Sequence, residues 1–125
     1  MPVIKKTIKR ALLCAVLLLK LGCMPLLAMA KPITVSWYGR QHAGKRMANG
    51  QKFDPRKLTA AHRKLPFGTR VRLFCLKTGK SVVVTITDRG PFKKKKRTMD
   101  VSEQAAKDLG IRGAGIARVD MEILP

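Results

Sequence analysis

Apolar and polar residues alternate with a period of two in four stretches of the chain, which predicts four β-strands. In residues 81–88, Val82, Val84 and Ile86 alternate with Val83, Thr85 and Thr87, a β-branched run that ends on Asp88. Residues 69–76 alternate likewise, and Thr78-Gly79 between the two runs predicts a hairpin with a short loop. A short stretch at 33–38 and a longer one at 116–123 complete the set. In the last, Ile116, Arg118, Asp120 and Glu122 oppose Ala117, Val119, Met121 and Ile123, so the polar set faces outward. Two places read as helix. Ser102 is a good N-cap, Glu103 suits a first turn, residues 105–109 continue it and Gly110 ends it. Asp54-Pro55 is a helix-start signature, and a short helix is expected there, with room for a turn or so before Pro66. Residues 31–125 thus predict one mainly β domain with a single core, one or two short helices, no internal repeat and no dividing linker.

The connections carry the polar chemistry. After Asp88, Arg89, Gly90 and Pro91 force a turn, which places a carboxylate at the mouth of the sheet, where a rigid scaffold can aim it at a ligand. Residues 39–50 form a polar, glycine-containing loop that keeps Trp37, Tyr38 and His42 close to Asn49 and Gln51, a mix of flat apolar faces and hydrogen-bonding groups that suits a sugar polymer. Residues 93–97 are five consecutive cations, a solvated loop or a local attraction for an anionic polymer.

Charge and the first thirty residues set the setting. The formal charge is +20, and removing Lys5, Lys6, Lys9, Arg10 and Lys20 still leaves +15 over residues 31–125, so the partner should be anionic. Nucleic acid fits the charge but not the pattern, because the cations are not interleaved with stacking aromatics. Lys5, Lys6, Lys9 and Arg10 precede an apolar run over 11–19, and Ala28-Met29-Ala30 supplies small residues at the positions a signal peptidase reads. Residues 1–30 are therefore expected to be a signal peptide, cut after Ala30, and the protein to be exported, periplasmic or secreted. Lys20 interrupts the apolar region and leaves an uncleaved anchor as an alternative. Leu21-Gly22-Cys23 resembles the end of a lipobox, which makes lipid anchoring at Cys23 another. Cys75 is then alone in the mature chain, on the face of Val71 and Leu73, and reads as a buried, inert thiol.

Few residues qualify for chemistry. His42 and His62 are the only histidines and neither has metal-ligand spacing, so no metal site is expected. No nucleophile elbow, CxxC pair or phosphate-cradling glycine loop is present. His62, just before the Leu65-Pro66-Phe67-Gly68 turn, reads on composition alone as a structural or surface residue, and Asp100 stands just before the helix as a capping or site carboxylate.

Several stretches together resemble one family. Ser36-Trp37-Tyr38-Gly39, Ala48-Asn49-Gly50-Gln51-Lys52-Phe53-Asp54, Leu58-Thr59-Ala60-Ala61-His62, Leu65-Pro66-Phe67-Gly68-Thr69, Asp88-Arg89-Gly90-Pro91-Phe92, Asp100-Val101-Ser102 and Leu109-Gly110 are similar, in order, to the rare lipoprotein A (RlpA-like) family. The resemblance implies a six-stranded double-psi β-barrel, the fold shared with expansin and barwin domains. It also implies a lytic transglycosylase that cleaves peptidoglycan glycan strands to 1,6-anhydro-muramoyl ends. By that resemblance Asp88 is catalytic, and His62 assists it by positioning it or sharing its proton. Trp37, Tyr38, Asn49, Gln51, Arg89 and Asp100 are the expected substrate contacts. Many members have Glu where Gln51 stands, so one charge is missing here, and septal targeting, which many relatives owe to a separate SPOR domain, is not carried over. One carboxyl suffices for such a reaction, because the sugar's own C6 hydroxyl replaces water as nucleophile. The expectation is a monomer without cofactor or metal, whose partners are peptidoglycan glycan strands and anionic cell-wall polymer and not nucleic acid. The alternative is a noncatalytic, expansin-like module that binds or loosens peptidoglycan.

Overall fold

The computed structural model describes residues 30–125, so the expected signal peptide and Cys23 lie outside the described residues. Six strands close into a barrel: β1 (Lys31–Tyr38), β2 (Thr59–His62), β3 (Arg70–Cys75), β4 (Lys80–Asp88), β5 (Met99–Ser102) and β6 (Ile116–Ile123). Their order around the barrel is β1-β5-β2-β4-β3-β6, and β6 returns to β1, which leaves no strand edge unpaired. β1 runs parallel to β5 and β2 parallel to β4, while the other pairs are antiparallel. This is the double-psi β-barrel that the resemblance implies.

Four of the strands are those the alternation predicts, and β3 and β4 form the expected hairpin, from Arg70 opposite Thr85 to Cys75 opposite Lys80. The other two, β2 and β5, have four residues each, too short for a period of two to stand out. The barrel interior is apolar: Val35, Val71, Leu73, Val84, Ile86, Met99 and Val101 are fully buried, each contributing roughly 1.5–3 kcal/mol of transfer free energy. Cys75 is free and buried among them. Ile123, on the apolar side of the β6 pattern and the last residue of that strand, is 53% exposed although it pairs with the fully buried Val71.

One α-helix follows β5. In α1 (Glu103–Leu109), Ser102 Oγ accepts from the Ala105 amide at 3.3 Å and Gly110 ends the helix in a left-handed conformation, as the sequence predicts. The helix expected at Asp54-Pro55 does not form. Asp54 Oδ1 instead accepts from the Arg56 amide at 2.9 Å and the carboxylate pairs with the Arg56 guanidinium, which closes a turn and stops there. A single 3₁₀ turn (Arg40–His42) lies in the long connection between β1 and β2. Met47 and Phe53, both buried, pin this connection to the barrel.

Candidate active site

One register irregularity builds the site. β2 pairs with β4 so that Ala60 faces Ile86 but Ala61 faces Asp88, leaving Thr87 as an extra residue in a bulge. Directly paired residues share a face, so the bulge turns Asp88 away from the core that Ile86 enters and onto the face of Ala61. On the other side Ala61 faces Asp100 of β5, and Asp100 faces Ser36 of β1. Ser36, Asp100, Ala61 and Asp88 thus form one row across four strands. Asp88, the last residue of β4, ends its strand on the face that carries Ala61 and Asp100.

The β1–β2 connection roofs this row and leaves a cavity of about 290 Å³, lined by Tyr38, His42, Ala61, Asp88, Arg89 and Asp100 among others. Asp88 Oδ1 accepts from the amides of Ala48 (2.9 Å) and Arg89 (2.8 Å). Its Oδ2 has no hydrogen-bond partner among the described residues. Gly90 has φ of 126°, a conformation that side chains avoid, and it lets the chain turn directly after Asp88 and Arg89. Ser36 Oγ donates to Asp100 Oδ1 at 2.5 Å and accepts from Arg97 Nη1 at 3.2 Å, so the second carboxylate is fixed through a serine to a guanidinium.

Tyr38 closes the third side. Its ring packs on Phe53 (centroids 4.5 Å apart) and meets His42 edge-on at 5.6 Å. Its hydroxyl is buried without a hydrogen-bond partner among the described residues, and burial pushes its pKa well above the ordinary tyrosine value, with the Asp88 and Asp100 carboxylates adding to the shift. A buried hydroxyl is normally satisfied, so an orphan aimed at two carboxylates marks a place for a ligand atom or a water.

Of the residues singled out from sequence, the fold brings Tyr38, His42, Asp88, Arg89 and Asp100 into this cavity. Asn49 and Gln51 lie beside it in the roof, where Asn49 Nδ2 donates to Gln51 Oε1 (3.2 Å), the Gln51 amide donates to Asn49 Oδ1 (3.0 Å) and the Asn49 amide donates to Thr87 O (3.2 Å). Trp37 points the other way. It packs against the core, its indole N–H donates to Arg112 O at 3.1 Å, and a Cβ on Gly39 would come within 2.7 Å of its ring. His62 is not among the lining residues either. Its Nδ1 accepts from the amides of Lys64 (3.1 Å) and Leu65 (3.0 Å), and burial together with Arg63, Arg89 and Lys64 lowers its pKa. Ser36, Arg97, Met47 and Phe53 support the site without having been read from sequence. Ser36 lies two residues before Tyr38 on the same strand face, Phe53 stands in one of the family-like stretches and Arg97 ends the run of cations, but none of these signals named a role in the site. No cluster of metal-ligating side chains occurs among the described residues.

The sequence profile of the lytic transglycolase family matches residues 31–121. Over 89 residues the chain is 51% identical to a probable endolytic peptidoglycan transglycosylase RlpA of Synechocystis sp., covering 71% of this chain and 27% of that one. It is 47% identical over 89 residues to the endolytic peptidoglycan transglycosylase RlpA of Pseudomonas aeruginosa, covering 71% and 26%. The chain therefore spans about a quarter of the length of these curated relatives. Among solved structures, an expansin of Clavibacter michiganensis in complex with cellohexaose superposes with a TM-score of 0.61 at 16% identity, over 78% of this chain and 51% of that one. A papain inhibitor of Streptomyces superposes with a TM-score of 0.59 at 16% identity, over 76% and 96%. At such identities the likeness is one of fold alone. The profile, by contrast, runs from the first residue of β1 nearly to the end of β6, and the chain belongs to the lytic transglycolase family.

Proposed function

We propose that residues 31–125 form a lytic transglycosylase domain that cleaves peptidoglycan glycan strands, with Asp88 as its acid and base. The observation that carries this reading is the state of Asp88 in a chain of this family: it lines the cavity, one oxygen is held by two backbone amides, and the other has no hydrogen-bond partner among the described residues. Asp88 gives its proton to the glycosidic oxygen as the bond to C1 breaks. The C6 hydroxyl of the same muramoyl sugar attacks C1 and passes its proton to the Asp88 carboxylate. A 1,6-anhydro end and a free hydroxyl on the leaving sugar result, and Asp88 is again protonated. Asp100, fixed by Ser36 and Arg97, favours the positive charge that develops at C1. Tyr38 Oη donates to the bound sugar.

Gln51 stands where many relatives have Glu, and it binds sugar hydroxyls from the roof together with Asn49. Asp100 then supplies the second carboxylate of the cavity. The domain works as an exported monomer without cofactor, and its cations meet the stem-peptide carboxylates of the wall. Digestion of purified sacculi tests the reading: anhydromuropeptide ends are expected, and their absence with the wild-type protein defeats it. Sacculus binding without such products assigns the domain instead to noncatalytic wall binding.

A further inference from the structure

His62 ends β2, one residue past the cavity-lining Ala61, and successive strand residues face opposite sides. The ring is nevertheless linked to Asp88 by hydrogen bonds joined through the backbone of Leu65 and the side chain of Arg89. Nδ1 accepts from the amides two and three residues on, Lys64 and Leu65. This is the pattern that Asn and Asp side chains make in Asx turns, and Nδ1 occupies the same place on Cγ as their Oδ1. The carbonyls of the turn so formed point to one guanidinium: Arg89 Nη1 donates to Leu65 O at 2.8 Å and to His62 O at 3.3 Å. Arg89 also lies 3.9 Å over the centre of the Phe67 ring, and its own amide is one of the two that hold Asp88 Oδ1.

We propose that His62 is a positioning residue: its Nδ1 is a fixed acceptor that closes the turn over residues 63–65, and the carbonyls of that turn seat Arg89 and, through its amide, Asp88. The imidazole takes no part in proton transfer. An acceptor facing two N–H donors must be unprotonated, so the neutral ring carries its proton on Nε2. The lowered pKa of His62, due to burial and to Arg63, Arg89 and Lys64, agrees with that form. The inference rests on the acid role proposed for Asp88, but the state of the ring can be read without it.

The tests are two side-chain variants and one spectrum. His62→Asn keeps an acceptor in place and removes the titrating ring, whereas His62→Ala removes both. Release of anhydromuropeptides should stay within about threefold of wild type in His62→Asn and fall at least about tenfold in His62→Ala, the scale of a lost acceptor for two amides. Equal loss in both variants would mean that the ring exchanges protons, and equal retention would mean that the turn is dispensable; either overturns the proposal. In the wild-type protein near neutral pH, ring ¹⁵N shifts should show an unprotonated Nδ1 and a protonated Nε2. The opposite tautomer overturns the proposal whether or not the protein cleaves glycan or the alanine variant folds. Absent cleavage by the wild type together with the expected tautomer would defeat the enzymatic reading alone.

Discussion

The amide of Ala48 donates to Oδ1 of Asp88 at 2.9 Å across 40 residues of sequence. This bond joins the roof to the floor of the cavity, and an asparagine can accept it as well as an aspartate can. Asp88→Asn is therefore expected to keep the melting temperature within a few degrees while turnover on sacculi falls about 10²–10⁴-fold, the usual worth of a general acid. Asp88→Ala should lose the same activity and also about 1 kcal/mol of stability, since the Ala48 and Arg89 amides lose their acceptor. Chromatography of released muropeptides and thermal melting separate the two effects. An unfolded Asp88→Asn would make the residue structural.

Tyr38→Phe should divide stability from function. The hydroxyl has no hydrogen-bond partner among the described residues, so its removal is expected to leave stability unchanged or raise it by roughly 1 kcal/mol. Loss of a hydrogen bond to the sugar should weaken glycan binding up to about tenfold. Reduced stability with unchanged binding would show that the hydroxyl serves the fold.

The pH dependence of stability follows from His62. Its folded-state pKa lies below the ordinary 6.5, so the unfolded chain takes up the proton first as pH falls. The contribution of the neutral ring is complete above the unfolded value and is lost as pH drops through the folded value. Melting temperature should accordingly decline from pH 7 towards pH 5 more steeply in the wild type than in His62→Asn, in which nothing titrates at this position. Parallel curves for the two proteins would disprove the link.

Salt should weaken binding to sacculi steeply. Lys93, Lys94, Lys95 and Lys96 are all exposed, and surface charges act through a screened field that shortens to about 8 Å at physiological ionic strength. The loop that carries them is tied down at both flanks, by Arg63 Nη2 donating to Lys94 O and by Arg97 donating to Ser36. Replacing the four lysines with glutamine is expected to flatten the salt dependence and to leave the fold intact. Unchanged salt sensitivity in a pull-down series would reduce the loop to a solvated connection.

Long regular strands were legible because their side chains repeat: β3, β4 and β6 alternate over six to nine residues, and a half-buried strand leaves that trace in any sequence. The α1 caps were equally local, since Ser102 and Gly110 act on backbone within a turn of themselves. The Asp54 helix failed for the same local reason, because the Arg56 guanidinium captured the carboxylate that would have started it. The short strands β2 and β5 left no such trace. They exist because the barrel presents them with neighbours on both sides, β4 and β5 for one and β1 and β2 for the other.

By itself the sequence determined which residues could carry chemistry, a mainly β domain, a strongly positive surface and, through its motifs, a family. Which of those residues meet was decided by tertiary pairing. A single extra residue, Thr87, sets Asp88 opposite Ala61, and two unrelated registers then bring Asp100 and Ser36 into the same row. Tyr38 and Trp37 are neighbours in the chain, yet strand geometry sends one hydroxyl to the carboxylates and one indole to the core. His62 next to Ala61 is divided from the cavity in the same way, and its turn meets the cavity-lining Arg89 through backbone carbonyls. Local propensity acts over a few residues and leaves its mark in sequence, whereas register and bulge position depend on how distant strands satisfy one another's hydrogen bonds, so the site became visible only in the closed barrel.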